Sequence, residues 1–321
     1  MHIFSFFKKF LSVSLLSLSI QTISAQALVT LELAGSPIAE NGGVATITAR
    51  TSSIISSDIT VSLSISGTAS QTDDYSISNT NIIIPAESET GLVSITGNND
   101  EIYEPSETVI IDIYSVTGAE EDGDQQVTVS ITDDDPSPTV SLSASPLSIS
   151  ENQSSTITAT LTNATTEDVT VNLTLNNIST EEADYNLSAS SITITAGNTS
   201  ANTTIVGVED DTYEGDEQVQ VSISGVSGGS ASTGSPDNVT ITITDNQSAP
   251  TVSLSASPLS ISENQSSTIT ATLTNATTED VTVNLALNNI STEEADYNLS
   301  ASSITITAGN TSANTTIVGV E

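Results

Sequence analysis

The sequence has no cysteine and no tryptophan, and it sets three basic residues against 40 acidic ones. Without cysteine there is neither a disulfide framework nor thiol chemistry, so packing, hydrogen bonds or bound metal must hold the chain together. Lys8 and Lys9 lie near the start, which leaves Arg50 as the only base in the rest of the chain, and the formal net charge is −37. A surface of that sign repels phosphate backbones and anionic headgroups. Nucleic acid and acidic membranes are therefore excluded as partners unless cations bridge the contact. The one histidine is His2, and the four phenylalanines fall at positions 4 to 10. Past that segment a serine nucleophile has no histidine or lysine to act as its base. Only a carboxylate pair of the glycosidase kind remains for acid–base work. The acids recur once per repeat, which suits metal sites better than one catalytic centre, so no enzymatic activity is expected. Six tyrosines are the only aromatics left for a sugar to stack on.

The first residues read as a secretory signal. Lys8 and Lys9 precede the apolar run Phe10 to Ile23, which is too short to span a bilayer, and Ala25-Gln26-Ala27 fits a small-x-small cleavage site. A signal over residues 1–27 is expected, cut after Ala25 or Ala27; a short buried helix is the alternative. The mature chain would be secreted or displayed on the cell surface, with no direct insertion into the membrane.

High charge with few aromatics also describes disordered chains, but here the apolar residues fall in alternating runs. Val140 and Leu142 alternate with serine, and Ile157, Ala159 and Leu161 with threonine. Val169 to Leu175, Ile192 and Ile194, Val206 and Val208, Val219 to Ile223, and Val239 to Ile243 continue the period of two. About seven strands in about 110 residues predict an all-β fold, a two-sheet antiparallel sandwich. Thr139 to Glu209 recurs as Thr251 to Glu321, and these 71-residue blocks differ only at Thr174 against Ala286, on an outward strand position. A more distant copy starts near Leu28. Domains are thus expected at 28–135, 139–247 and 251–321, joined by the proline-stiffened linkers Asp133 to Pro138 and Asp245 to Pro250. The third has no counterpart of Glu217 to Thr244 in this sequence. It is expected to be a truncated copy within a longer repeat protein, or an incomplete unit that pairs with another chain.

One stretch concentrates the charge. Glu209 to Glu217 holds six carboxylates in nine residues; Asn99 to Glu107 is a weaker copy, and Glu321 begins a third. Two carboxylates about 4 Å apart repel by roughly 4 kcal/mol at an effective dielectric near 20. A hard divalent cation with many oxygen ligands, above all calcium, removes that cost. Glu40, Asp74, Glu104 and Asp133 lie in four separate inter-strand segments, which would form an oxygen cage if those segments open at one end of the sandwich. A solvated acidic surface is the competing explanation.

Several motifs together resemble the Calx-beta family, whose modules occur in sodium–calcium exchangers, integrin beta-4 and many bacterial surface proteins. They are Ile38-Ala39-Glu40-Asn41-Gly42-Gly43, Ser66-Gly67-Thr68-Ala69 with Asp73-Asp74-Tyr75, Ile83-Ile84-Pro85-Ala86, the acidic Tyr-Glu-x-x-Glu stretch, and Val129-Ser130-Ile131-Thr132-Asp133-Asp134-Asp135. The resemblance implies tandem immunoglobulin-like antiparallel β-sandwich domains that bind calcium at one end. Carried over motif by motif, it implies ligands at Glu40, Asp74, Asn99, Asp100, Glu104, Glu107, Asp133, Asp134 and Asp135, with the Ile102 carbonyl. In the second repeat it implies Glu151, Asp184, Glu209, Asp210, Glu214, Glu217 and Asp245, with the Thr212 carbonyl. In the third only Glu263, Asp296 and Glu321 remain. Asn99 stands where calcium-binding members carry an acid, and Asn246 and Gln247 stand where the first repeat has Asp134 and Asp135. The function this implies is a calcium-stiffened, non-enzymatic adhesin, matrix component or spacer, with surface proteins or polysaccharide as candidate partners. The alternative is an accessory or carbohydrate-binding part of a larger secreted hydrolase.

Overall fold

Strands dominate the computed structural model, which describes residues 26–181 and 183–321. The expected signal segment lies outside the described residues except for Gln26 and Ala27. Among the described residues no helix is long and apolar enough to cross a membrane. Contacts divide the chain into two units. The first runs to Asn99 and takes in Ser106–Thr132; the second comprises Asp100–Pro105 and Asp133–Glu321.

The first unit is a sandwich of two five-stranded sheets. One orders Glu120–Glu121, Leu28–Ala34, Val44–Thr51, Thr90–Gly97 and Tyr75–Ile77; the other orders Ile38–Ala39, Gln126–Thr132, Glu107–Thr117, Ile59–Gly67 and Asn81–Ile84. Alternation of side chains sends every second residue inward. Ile47 faces Leu33 on one neighbouring strand and Val93 on the other. With Ile59, Ile82, Ile84, Ile95 and Ile111 it fills the interlayer space. Branched aliphatic residues suit strands and supply the whole core apart from Tyr75 and small alanines. The chain crosses between the sheets at Ser36-Pro37, so that Ile38–Ala39 pairs in parallel with Ile131 and Thr132. That crossing fixes Glu40 at the sandwich end, where its N–H donates to the Thr132 carbonyl at 2.9 Å. Arg50 ion-pairs with Glu32 at 2.9 Å and Glu89 at 3.5 Å on the exposed surface.

The second unit contains a like sandwich. Its sheets order Tyr185–Leu187, Ser200–Gly207, Ser154–Leu161, Thr139–Ser145 and Ser232–Thr233 against Ser148–Ser150, Asn238–Thr244, Glu217–Ser227, Val169–Asn177 and Ser191–Ile194. The unit also holds the third repeat. There Val252–Ser257, Ser266–Leu273, Ser312–Gly319 and Tyr297–Leu299 form one sheet, and Val281–Asn284 with Ser303–Ile306 a two-stranded one. Two short parallel ladders complete it: Ile102–Tyr103 on Ala164–Thr165, and Thr212–Tyr213 on Ala276–Thr277.

The all-β sandwich is as expected, with one phase error. Val206 and Val208 read as inward, but the strand Ser200–Gly207 buries Thr203, Ile205 and Gly207 instead, and Val208 is exposed. The inward end is a tight place for a side chain, because a Cβ on Gly207 would lie 3.2 Å from the Glu151 Cα. A small residue and a threonine at core positions hid the true phase. Thr174 and Ala286 are both exposed, as the outward placement requires.

Candidate metal site

Three acids converge in the second unit. Asp184 sits just before the strand Tyr185–Leu187, Glu217 opens the strand Glu217–Ser227 of the opposite sheet, and Glu214 lies in the loop after Thr212–Tyr213. Each offers a carboxylate oxygen, and the three oxygens lie within 4.8 Å of one another. Backbone bonds hold the arms in place. The Val208 N–H donates to the Asp184 carbonyl at 2.8 Å, and the Glu181 N–H donates to Asp184 Oδ2.

Asp245 pins the Glu214 loop. Its Oδ2 accepts the N–H groups of Glu214 at 2.6 Å and Gly215 at 2.7 Å, and its Oδ1 accepts that of Gln247 at 2.7 Å. Gly215 turns the loop at φ +82, in the left-handed region that glycine enters freely. Asp210 Oδ1 accepts the Thr212 N–H at 2.7 Å, and Glu209 Oε2 accepts Asn152 Nδ2 at 2.9 Å and Asn246 Nδ2 at 2.7 Å. Beside them, Glu151 Oε2 and Gln247 Oε1 are buried with no hydrogen-bond partner. A buried oxygen left unpaired costs about 1–3 kcal/mol, and more when charged.

The electrostatics follow from crowding without a base. Burial, then the charges of Asp184, Asp210, Glu151 and Asp245, pushes the Glu214 carboxyl up to about 7. Burial, then the hydrogen bond that the protonated Glu217 carboxyl donates to Asp184, then the charges of Asp184 and Glu214, pushes Glu217 up to about 8. Glu151 is raised by burial and then by Asp245. Metal-free, the cluster relieves its repulsion by holding protons. The donors are all hard oxygens, and two buried oxygens are orphaned, so a calcium-type cation fits this set better than a metal that seeks nitrogen or sulfur.

The other expected ligands divide. In the first unit Asp74 and Glu107 bring carboxylate oxygens within 4.8 Å of each other. Asp74 is buried, accepting the Ser70 N–H on Oδ2 and the Asn98 N–H on its carbonyl at 3.0 Å; Glu40 is also buried. Asn99 ends the first unit's leading segment, and Asp100, Glu104, Asp133, Asp134 and Asp135 belong to the second unit. There Asp133 and Asp135 oxygens lie within 4.8 Å of each other. Asp133 repeats the role of Asp245, accepting the N–H groups of Glu104 at 2.7 Å and Asp135 at 2.8 Å, and Asp100 accepts that of Ile102 at 2.7 Å. Ile102 and Thr212 sit in the two short ladders. Glu263, Asp296 and Glu321 are exposed, and none joins a group of three converging acids among the described residues. Asp296 accepts the Glu293 N–H at 2.8 Å, and Glu321 accepts Asn264 Nδ2 at 2.8 Å.

Sequence reasoning missed Gln247 as an inward-facing oxygen donor. It occupies the place of Asp135, and an amide oxygen at a carboxylate's position was the available signal.

The Calx-beta domain family matches residues 24–135 and 245–320, and the LapA domain family matches 136–246. Among solved structures, the chain is similar to CBD12 from CALX1.2, at 16% identity over 67% of this chain and 99% of that one, with a TM-score of 0.32. It is similar to the apo-form Calx CBD1 domain, at 13% identity over 34% of this chain and 99% of that one, with a TM-score of 0.30. It is also similar to the Yersinia pseudotuberculosis adhesin InvE, at 10% identity over 68% and 59% of the two chains, with a TM-score of 0.29. No curated protein matches the chain.

Proposed function

The chain belongs to the Calx-beta family, whose domain matches more than half of it, and on that premise we propose that it is a non-enzymatic extracellular repeat protein whose modules are stiffened by calcium. The modules are taken as 28–135, 139–247 and 251–321. The observation that carries this reading is the convergence of Asp184, Glu214 and Glu217 from separate elements within 4.8 Å, in a chain with no base after Arg50.

The geometry gives the ion mechanical work. Asp184 flanks a strand of one sheet and Glu217 opens a strand of the other, so a cation between them ties the two layers together. Glu214 sits on the loop whose Thr212–Tyr213 pairs with Ala276–Thr277 of the following repeat. Holding that loop therefore also holds the junction between repeats. Asp245 prepares the loop by taking two of its backbone N–H groups, those of Glu214 and Gly215, beside that of Gln247. Glu151, Gln247 and Asp210 extend the oxygen wall. Calcium, when bound, supplies positive charge that lets these carboxylates stay ionised and close together.

At millimolar calcium and a dissociation constant of ~10⁻⁴ M, one site adds about 1.4 kcal/mol of stability. The test is thermal unfolding of the mature chain in EDTA, in calcium and in matched magnesium. The reading expects a saturable rise in melting temperature specific to calcium. An unchanged melt in all three would leave the acids as a solvated surface.

A further inference from the structure

Of the six tyrosines in the chain, Tyr75 and Tyr185 are buried and Tyr103, Tyr213 and Tyr297 are half-buried, whereas Tyr114 is 78% exposed. It stands at a β-bulge in the first unit. Ile113 pairs with Leu63 and Ser115 with Ser62, which leaves Tyr114 as the extra residue. A bulge re-aims the side chain it carries. Here the ring borders an open groove of ≈ 450 Å³ whose polar walls are Ser64, Asp112, Glu121, Asp124 and Gln126. Ser64, Asp112 and Gln126 form a row across three neighbouring strands, and Gln126 Nε2 donates to Asp112 Oδ2 at 3.1 Å. Glu121 arrives from the opposite sheet. The turn that carries Asp124 is tied down on both sides: the Gln125 N–H donates to Glu121 Oε1 at 2.7 Å, and the Leu31 N–H donates to Gln125 Oε1 at 3.2 Å. The second repeat keeps the bulge but not the chemistry. Ser222 pairs with Thr174 and Asn238 as Asp112 pairs with Ser64 and Gln126, and Ser224 takes the place of Tyr114.

We propose that this groove of the first sandwich binds a neutral hexose chain, with Tyr114 as the ring on which one sugar stacks. A tyrosine face is apolar and matches the C–H face of a pyranose, while its hydroxyl end stays wet. The groove's volume falls in the range of ~300–1,000 Å³ typical of small-ligand clefts. Sugar hydroxyls both donate and accept, and the wall answers both: the carboxylates accept, and the Ser64 hydroxyl and Gln126 amide can do either. A cationic ligand would call for acceptors alone, and here Asp112 and Glu121 each already accept an N–H group. A sulfated or uronic-acid chain would meet three carboxylates and no base. The bonds that hold the turn shape the groove before a ligand arrives, which lowers the ordering cost of binding. A stray surface aromatic would account for Tyr114 by itself. It would not account for the carboxylate that replaces serine two residues earlier on the same bulged strand. The site needs only the sandwich fold and no bound calcium, so it stands or falls apart from the calcium reading.

The test titrates the mature full chain, in EDTA, with neutral tetrasaccharides of glucose, mannose and galactose in α and β linkage, and with spermidine as the cationic control. Calorimetry reads affinity. Tyrosine fluorescence reads the site, since the chain has no tryptophan and Tyr114 is its exposed tyrosine. Saturable binding of at least one tetrasaccharide is expected, with a change in tyrosine emission. Tyr114→Ala should weaken it about tenfold or more, as removal of an aromatic anchor does. Tyr114→Phe, which keeps the stacking face, should bind within about threefold of the parent. Asp112→Ser, which restores the residue of the second repeat, should also weaken binding. Three results would overturn the proposal: no tetrasaccharide binds, binding survives Tyr114→Ala unchanged, or spermidine binds in a salt-sensitive way while every sugar fails, which would make the groove a cation site.

Discussion

Glu217→Gln should change stability in opposite directions with and without calcium. In the metal-free protein Asp184, Glu214 and Glu217 place carboxylate oxygens within 4.8 Å of one another. An ionised pair at that separation repels by about 3.5 kcal/mol at an effective dielectric near 20, before further solvent screening. The cluster escapes this by keeping Glu217 protonated up to a pKa of about 8. Glutamine copies the protonated form, so in EDTA at pH 8 the variant should melt at the same temperature as the parent or above it. Calcium reverses the order, because the variant has lost an anionic ligand. If calcium affinity falls tenfold from ~10⁻⁴ M, the stabilisation at 1 mM calcium falls from about 1.4 to about 0.4 kcal/mol. For a repeat of about 110 residues that lost 1 kcal/mol corresponds to about 4 °C. The assay is calorimetric melting of parent and variant in EDTA and in 1 mM calcium. Equal loss of melting temperature in both buffers would refute the reasoning, since Glu217 would then be acting through packing or strand pairing alone.

Further outcomes follow from the same structure. Glu214 and Glu217 titrate at about 7 and about 8 when folded, against an ordinary 4.5. The folded state therefore holds protons that the unfolded chain has released. Their contribution is complete below pH 4.5 and is lost as pH rises through 7 to 8. Melts in EDTA should fall across that window, and calcium affinity should rise across it as protons leave the ligands; a flat EDTA profile contradicts the crowding. Gly67 has φ +125, and a Cβ there would lie 2.1 Å from the Thr108 carbonyl oxygen. Gly67→Ala should cost roughly 2 kcal/mol or more in urea unfolding, and a change under 0.5 would show that the two strands separate easily at that point. Ala27 is buried in the first core, and its carbonyl accepts the Glu120 N–H at 2.9 Å. Mass spectrometry of secreted protein should accordingly find Gln26 as the first residue, while a start at Leu28 would show that this contact is dispensable.

The strands were legible because period two is a direct image of a half-buried sheet: Ile157, Ala159 and Leu161 are all buried as the alternation requires. Where the inward residue was not a hydrophobe, as at Thr203 and Gly207, the pattern misled by one position. The two-residue ladders at Ile102–Tyr103 and Thr212–Tyr213 are too short to have a period at all. The acidic segments could be found from composition, but composition does not say which oxygens meet. That depends on where chain reversals bring Asp184 opposite Glu217, and on Asp245 being occupied with backbone N–H groups. Gln247 looked like a departure because the eye follows charge, whereas a hard cation also accepts an amide oxygen.

Direct calcium binding is the most immediate measurement. Equilibrium dialysis of the mature chain against labelled calcium, with excess magnesium present, should show saturable sites that magnesium does not displace, and Glu214→Gln with Glu217→Gln should remove at least one of them. Calcium uptake that magnesium abolishes at matched concentration, or that survives both substitutions unchanged, would contradict the account.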